Sequence, residues 1–167
     1  MIKERFISYV EESIRKNWDK EALSNYREKG YTYKEIATLM VKQHIAFREY
    51  GIEEGDKIAL LGRNSANWCA MYLAVVTYGA VVVPILPDFK PDDLHNIINH
   101  SDSKLLFVDD KLWESLDPEK IKEIKCVKSL DSFEMLLSRS EKITEIYKGI
   151  DEKFAKAHPS FSPEDIR

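Results

Sequence analysis

Three short stretches of this 167-residue chain bring together residue types that can handle phosphate or metal. Gly51-Ile52-Glu53-Glu54-Gly55-Asp56-Lys57 has glycines and a lysine, as in loops whose backbone N–H groups and ammonium cradle phosphate. Its spacing is one residue short of that motif, and its three carboxylates would repel the anion. A helix-to-strand turn, with glycine at the left-handed helix end, is the preferred reading. Gly62-Arg63-Asn64 follows a predicted strand and leads into a helix, where free backbone N–H groups can hold an anion. Gly62 stands alone there, without the fuller glycine fingerprint, so a structural turn is preferred. Asp109-Asp110 lies at the carboxyl end of a predicted strand, where open sheets bind ligands and paired acids can hold Mg²⁺. Capping of a helix that begins near Lys111 is the simpler role. His95 and His100 project about 140° apart on a helix and cannot share one metal. His44 falls on an apolar helix face. No nucleophile has a partnered base in the pattern of hydrolases. The motifs therefore assign no catalytic, cofactor-binding or metal-binding residue.

Those stretches need elements to hold them in place. Phe6, Ile7, Val10 and Ile14 recur at helical spacing, and residues 21–32 read as a hairpin around Glu28-Lys29-Gly30. Thr32 and Glu35 form a T-x-x-E capping box ahead of a helix whose apolar face carries Tyr33, Ile36, Ala37, Met40, His44 and Phe47. Gly51 ends that helix. Residues 57–61 predict a strand, 67–78 a nearly all-apolar helix begun at Asn64 or Ser65, and 80–85 a second, buried strand. Residues 91–100 predict a helix with proline at its start and acids in its first turn. Residues 105–108 predict a third strand. A short helix near 111–116, a weak strand near 124–127 and a helix near 131–138 extend the alternation. The pattern gives an α/β fold: three layers, a mainly parallel sheet flanked by helices, plus a small N-terminal hairpin. Residues 1–140 make the α/β unit. Residues 141–167 make a helical and linker segment, its prolines at 159 and 163 lacking a core pattern.

Composition excludes several classes. Twenty-five basic against 29 acidic residues give a net charge of −4, which speaks against a nucleic-acid partner. Aromatic content of 11% can close a core and speaks against disorder. Cys69 and Cys126 form no C-x-x-C, so neither a disulfide framework nor a zinc cage is written. The first nine residues lack an apolar signal core, and the expected location is cytoplasmic. Residues 68–87 run twenty positions without a charge, long enough to cross a bilayer. Central Gly79, Pro84 and the switch to Val81-Val82-Val83 instead favour a helix followed by a strand.

The order of these pieces resembles the adenylate-forming ligases, and within them the long-chain fatty acid–CoA ligases. Thr32-Tyr33-Lys34-Glu35-Ile36 resembles the first core motif, T-Y-x-E-L. Residues 51–60 are similar to that family's G-x-x-x-GD turn and following strand, and Asn64-Ser65-Ala66-Asn67-Trp68 to its N-S-x-x-W. Leu73-Ala74 with Gly79-Ala80-Val81-Val82-Val83-Pro84 resembles the second core motif. Ile97-Ile98-Asn99-His100-Ser101 through Phe107-Val108-Asp109-Asp110 is similar to a stretch typical of the long-chain branch. The likeness covers residues 22–110, and Ser162-Pro163-Glu164-Asp165 resembles the run that leads into the phosphate loop.

The resemblance implies a two-step reaction: a fatty acid is activated by ATP, with Mg²⁺, to an acyl-adenylate, and coenzyme A then takes the acyl group. The phosphate loop, ribose-binding acid and catalytic lysine of that family have no counterpart here, and Arg167 stands where the loop should begin. The 167 residues are thus expected to be an inactive N-terminal scaffold that binds no cofactor. Their partner is the remainder of their own polypeptide, with self-association possible through exposed sheet edges. Two alternatives stay open. One is a free-standing flavodoxin-like or receiver-like binding module; the other is a different acid-activating branch of the same superfamily.

Overall fold

Side-chain caps and left-handed glycines delimit the long helices. The computed structural model describes residues 5–166; residues 1–4, part of the leading segment read as lacking a signal core, and residue 167 lie outside the described residues. Helix α1, Phe6–Lys16, buries Ile14. Strands β1, Glu21–Leu23, and β2, Tyr31–Thr32, pair antiparallel as expected, joined by the seven-residue loop 24–30 instead of a tight turn. Thr32 Oγ1 accepts from the Glu35 N–H (3.2 Å) and Glu35 Oε2 accepts from the Thr32 N–H (2.7 Å). This reciprocal box starts α2, Tyr33–Glu49.

Past α2 the chain turns at Gly51 (φ 73°) and Gly55 (φ 82°), conformations with no steric cost only for glycine. Asp56 Oδ2 accepts from the Glu53 N–H (2.8 Å) and from Lys104 Nζ (2.6 Å). The loop that invited a phosphate reading is therefore a helix-to-strand turn, closed by one of its own acids. Strand β3, Lys57–Leu61, follows, then α3, Ala66–Tyr78, capped by Ser65 Oγ on the Trp68 N–H (3.0 Å). Gly79 (φ 94°) ends α3 and releases the chain into β4, Val81–Ile85. The uncharged run 68–87 is thus helix, turn and strand, and no described helix is long and apolar enough to cross a membrane. Helix α4, Pro91–His100, strand β5, Leu105–Val108, and the single turn α5, Asp110–Trp113, complete the central crossovers. Strands β6, Cys126–Ser129, and β7, Met135–Ser138, precede helix α6, Glu141–Ala157.

The five-stranded sheet runs β4-β3-β5-β6-β7, parallel except for β7. Alternate residues sort to its two faces. Ile58, Leu60, Leu105, Phe107 and Cys126 pack under α2, α3 and α6, where Phe47 meets Phe107 edge-on at 6.2 Å. Ala59, Leu61, Leu106, Val108 and Val127 pack against Leu94 and Ile98 of α4 on the other face. Burying each large apolar side chain contributes about 1.5–3 kcal/mol, so these two layers dominate the stability.

Four expectations need correction. Residues 131–138 are not helical: Phe133 takes a left-handed φ of 61°, the Asp131 and Ser132 N–H groups donate to Ser129 Oγ, and β7 turns back along β6. Pairing with β6 supplies hydrogen bonds that a stretch this short could not provide as a helix. Strand β4 is not buried on both faces; it is an edge strand with Val81 and Pro84 exposed, which suits proline's missing donor. Asp109 occupies the position before α5, but its side chain caps nothing there. Residues 158–166, read as a linker, fold back beside α1: Phe161 meets the Trp18 ring, just past that helix, at a tilt of 57° and 5.3 Å, and the Ile166 carbonyl accepts from Arg15 of α1.

Candidate functional site

The loops at the carboxyl ends of β3, β4, β5 and β6 converge, as the parallel topology requires. Asp109 Oδ2 accepts from the Arg63 N–H (2.8 Å), tying the loop after β3 to the end of β5. Gly62 is required by this closure, since a Cβ there would stand 2.4 Å from Asp109 Oδ1 and 2.8 Å from Leu130 Cδ1. Burial raises the Asp109 carboxyl pKa, the Arg63 N–H bond opposes it, and the neighbouring Asp131 and Asp110 charges add to the rise. Asp131 Oδ2 accepts from the Asp110 N–H (2.8 Å) and so does the capping expected of Asp109. Asn67 Nδ2 donates to the Leu130 carbonyl (2.7 Å), and its Oδ1 accepts from Tyr31 OH (2.7 Å). The exposed Arg63 guanidinium pairs with exposed Asp88 at 3.3 Å.

This donor set fits neither an anion nor Mg²⁺. At the start of α3 the Ala66 N–H already donates to Asn25 Oδ1 (2.9 Å) and the Trp68 N–H to Ser65 Oγ. The Asp109 carboxylate beside Gly62 would repel an incoming phosphate. Asp109 and Asp131 each spend an oxygen on a backbone donor, and no group of three or more His, Cys, Asp or Glu is placed to hold a metal among the described residues. The loops brace one another.

Two of the four histidines are held inside the fold. His44 Nε2 meets the Ala74 carbonyl (2.9 Å) and Thr77 Oγ1 (3.1 Å), and burial lowers its pKa. His95 is buried, with Nε2 accepting from the Asp117 N–H (2.9 Å); His100 is exposed. Cys69 and Cys126 are unpaired.

A second feature escaped the sequence reading. Lys128 of β6 points to the α2–α6 side, only 5% exposed, and donates to Oε1 of Gln43 on α2 (3.2 Å). Its ammonium lies 5.7 Å from the Phe107 ring centre and 5.4 Å from that of Tyr147, and no carboxylate comes within 4 Å among the described residues. Burial pulls its pKa down to about 8. The only available signal was period-2 alternation, which places Lys128 on the same face as buried Cys126.

A 4-hydroxybutyrate–CoA ligase of Metallosphaera sedula is 35% identical over 91 residues, covering 54% of this chain and 17% of that protein. Long chain acyl-CoA synthetase 5 of Arabidopsis thaliana is 28% identical over 102 residues, covering 61% of this chain and 15% of that protein. The chain therefore spans under a fifth of the curated relatives it matches. The crystal structure of a long-chain-fatty-acid-CoA ligase from Archaeoglobus fulgidus superposes with a TM-score of 0.68 at 21% identity, over 86% of this chain and 30% of that one, a likeness of fold. The family model for AMP-binding enzyme matches residues 10–166. By that match over nearly its whole length, the chain belongs to the AMP-binding enzyme family.

Proposed function

We propose that this chain is the N-terminal scaffold of an acid–thiol ligase of the long-chain branch. In the whole enzyme a fatty acid carboxylate attacks the α-phosphorus of ATP and expels pyrophosphate, and the thiol of coenzyme A then displaces AMP. Developing charge on the phosphates calls for clustered donors and cations. The strand-end loops bring no such cluster together, their donors being engaged with one another. ATP, Mg²⁺ and coenzyme A would therefore be held by the rest of the polypeptide, and the 167 residues alone are inactive. Within this reading residues 1–140 are the α/β unit and 141–167 lead toward the phosphate-binding loop. The setting is cytoplasmic, in keeping with two free cysteines.

The observation that carries the reading is the ordered set of motifs from Thr32 to Asp110, supported by the Arabidopsis similarity across 102 residues. Another acid-activating branch is the second reading, favoured by the higher 35% identity to the hydroxybutyrate ligase. Grafting separates them. Residues 10–166, exchanged for the matching region of a long-chain ligase, should retain palmitoyl-CoA formation, while the same exchange in a hydroxybutyrate ligase should abolish its activity. The opposite pattern would move the chain to the other branch. Pyrophosphate release by the isolated chain with palmitate and ATP would refute the scaffold role.

A further inference from the structure

The α2 and α6 helices and the β6–β7 turn enclose a cleft of about 810 Å³ on the face of the sheet under those helices, separate from the strand-end loops. That volume lies in the range of small-molecule sites, roughly 300–1,000 Å³. Lys128 and Gln43 form its deep polar end; Leu39, Phe133, Tyr147 and Ile150 give it apolar walls. Four lysines line it against two carboxylates, in a protein whose net charge is −4. Both carboxylates are engaged: Asp151 with Lys42 at 2.7 Å, and Glu35 with Thr32. An ammonium can donate three hydrogen bonds, yet Lys128 makes one to a protein side chain, a neutral amide at 3.2 Å. A buried cation without a counter-charge is a costly arrangement unless something supplies the charge.

We propose that this cleft binds a small organic carboxylate, its carboxyl group paired with Lys128 and its apolar or aromatic body lying against Tyr147, Phe133 and Ile150. A monoanion with one apolar end matches one desolvated cation among rings and aliphatic walls. Inorganic phosphate is the poorer fit, because its charge is solvated on every side, whereas Lys128 sits beside the Phe107 and Tyr147 rings and one flank of the cleft is apolar. The site stands whether or not the proposed ligase reaction is correct.

The test uses the 167-residue chain with benzoate as probe, followed by backbone amide shifts in two-dimensional NMR. Saturable shifts clustered at Lys128, Leu39, Phe133 and Ile150 are expected. Benzyl alcohol, with the ring but no charge, should bind about tenfold more weakly or worse, as should inorganic phosphate. Lys128→Met should weaken benzoate by a similar factor while leaving the remaining spectrum dispersed. Equal binding of benzyl alcohol or phosphate, undiminished binding to a folded Lys128→Met protein, or shifts located elsewhere would each overturn the proposal. The benzyl alcohol comparison needs no variant, so it decides even if Lys128→Met fails to fold.

Discussion

Replacing Lys128 by methionine should stabilise the chain at neutral pH, and the gain should fade in alkali. The folded pKa of about 8 lies below the ordinary lysine value of 10.5, because burial disfavours the charged form. For a base shifted this way the unfolded chain binds more protons between the two values, so wild-type stability rises with pH there. Below the folded value the penalty is complete, at roughly 3 kcal/mol for a displacement of this size. Methionine keeps similar bulk between the Phe107 and Tyr147 rings but leaves Gln43 Oε1 without its donor, which returns about 1–2 kcal/mol. A net gain of about 1–2 kcal/mol near pH 7 follows, shrinking by about 2 kcal/mol on moving to about pH 9.5. Cys126 on the same strand face works the other way, since burial lifts its thiol to about 11 and its contribution falls as the unfolded thiol ionises. Tyr50 and Tyr147 also neighbour this region, Tyr50 with its pKa raised by burial. The difference between wild type and variant cancels most of these shared terms. Urea unfolding followed by tryptophan fluorescence measures it at both pH values. A variant less stable than wild type near pH 7, or a difference indifferent to pH, would refute the account of Lys128 as an uncompensated buried cation.

Two further substitutions probe the framework. Gly62→Ala should destabilise by about 1–3 kcal/mol, because the new methyl meets the Asp109 carboxylate at 2.4 Å and this contact holds two strand ends together; a thermal melt within a degree of wild type would contradict it. Asp56→Asn should cost about 1–2 kcal/mol by weakening the bonds from the Glu53 N–H and Lys104, with the loss largest at neutral pH. The Asp56 pKa is lowered, first by the Glu53 N–H, so its contribution is full above the ordinary carboxylate range and disappears as pH falls through the folded value. Denaturation midpoints measured from neutral pH down to about pH 3 check that sign.

Elements that carry their own boundary signals were legible in the chain. The Thr32–Glu35 box, the Ser65 cap and the left-handed glycines at 51 and 79 act within four residues of the helix ends they set, and each is found where its residues imply. What local spacing could not reveal depends on distant partners. Strand β7 is made of Met135, Leu136, Leu137 and Ser138, three of them good helix formers, and becomes a strand because β6 presents an unpaired edge and Phe133 accepts a left-handed turn. Asp131 replaces Asp109 as the cap of α5 from 21 residues away. Lys128 looks like a solvated charge in a weak strand until α2 and α6 are packed over it, bringing Gln43 from 85 positions upstream. The same long-range packing that hid these residues also decides where unusual electrostatics arise. The predicted strand-end acids find backbone donors and are used in bracing loops, whereas the unremarked lysine is left in a cleft with one neutral acceptor. In this chain burial without a counter-charge, more than any short motif, marks where a ligand would be accepted.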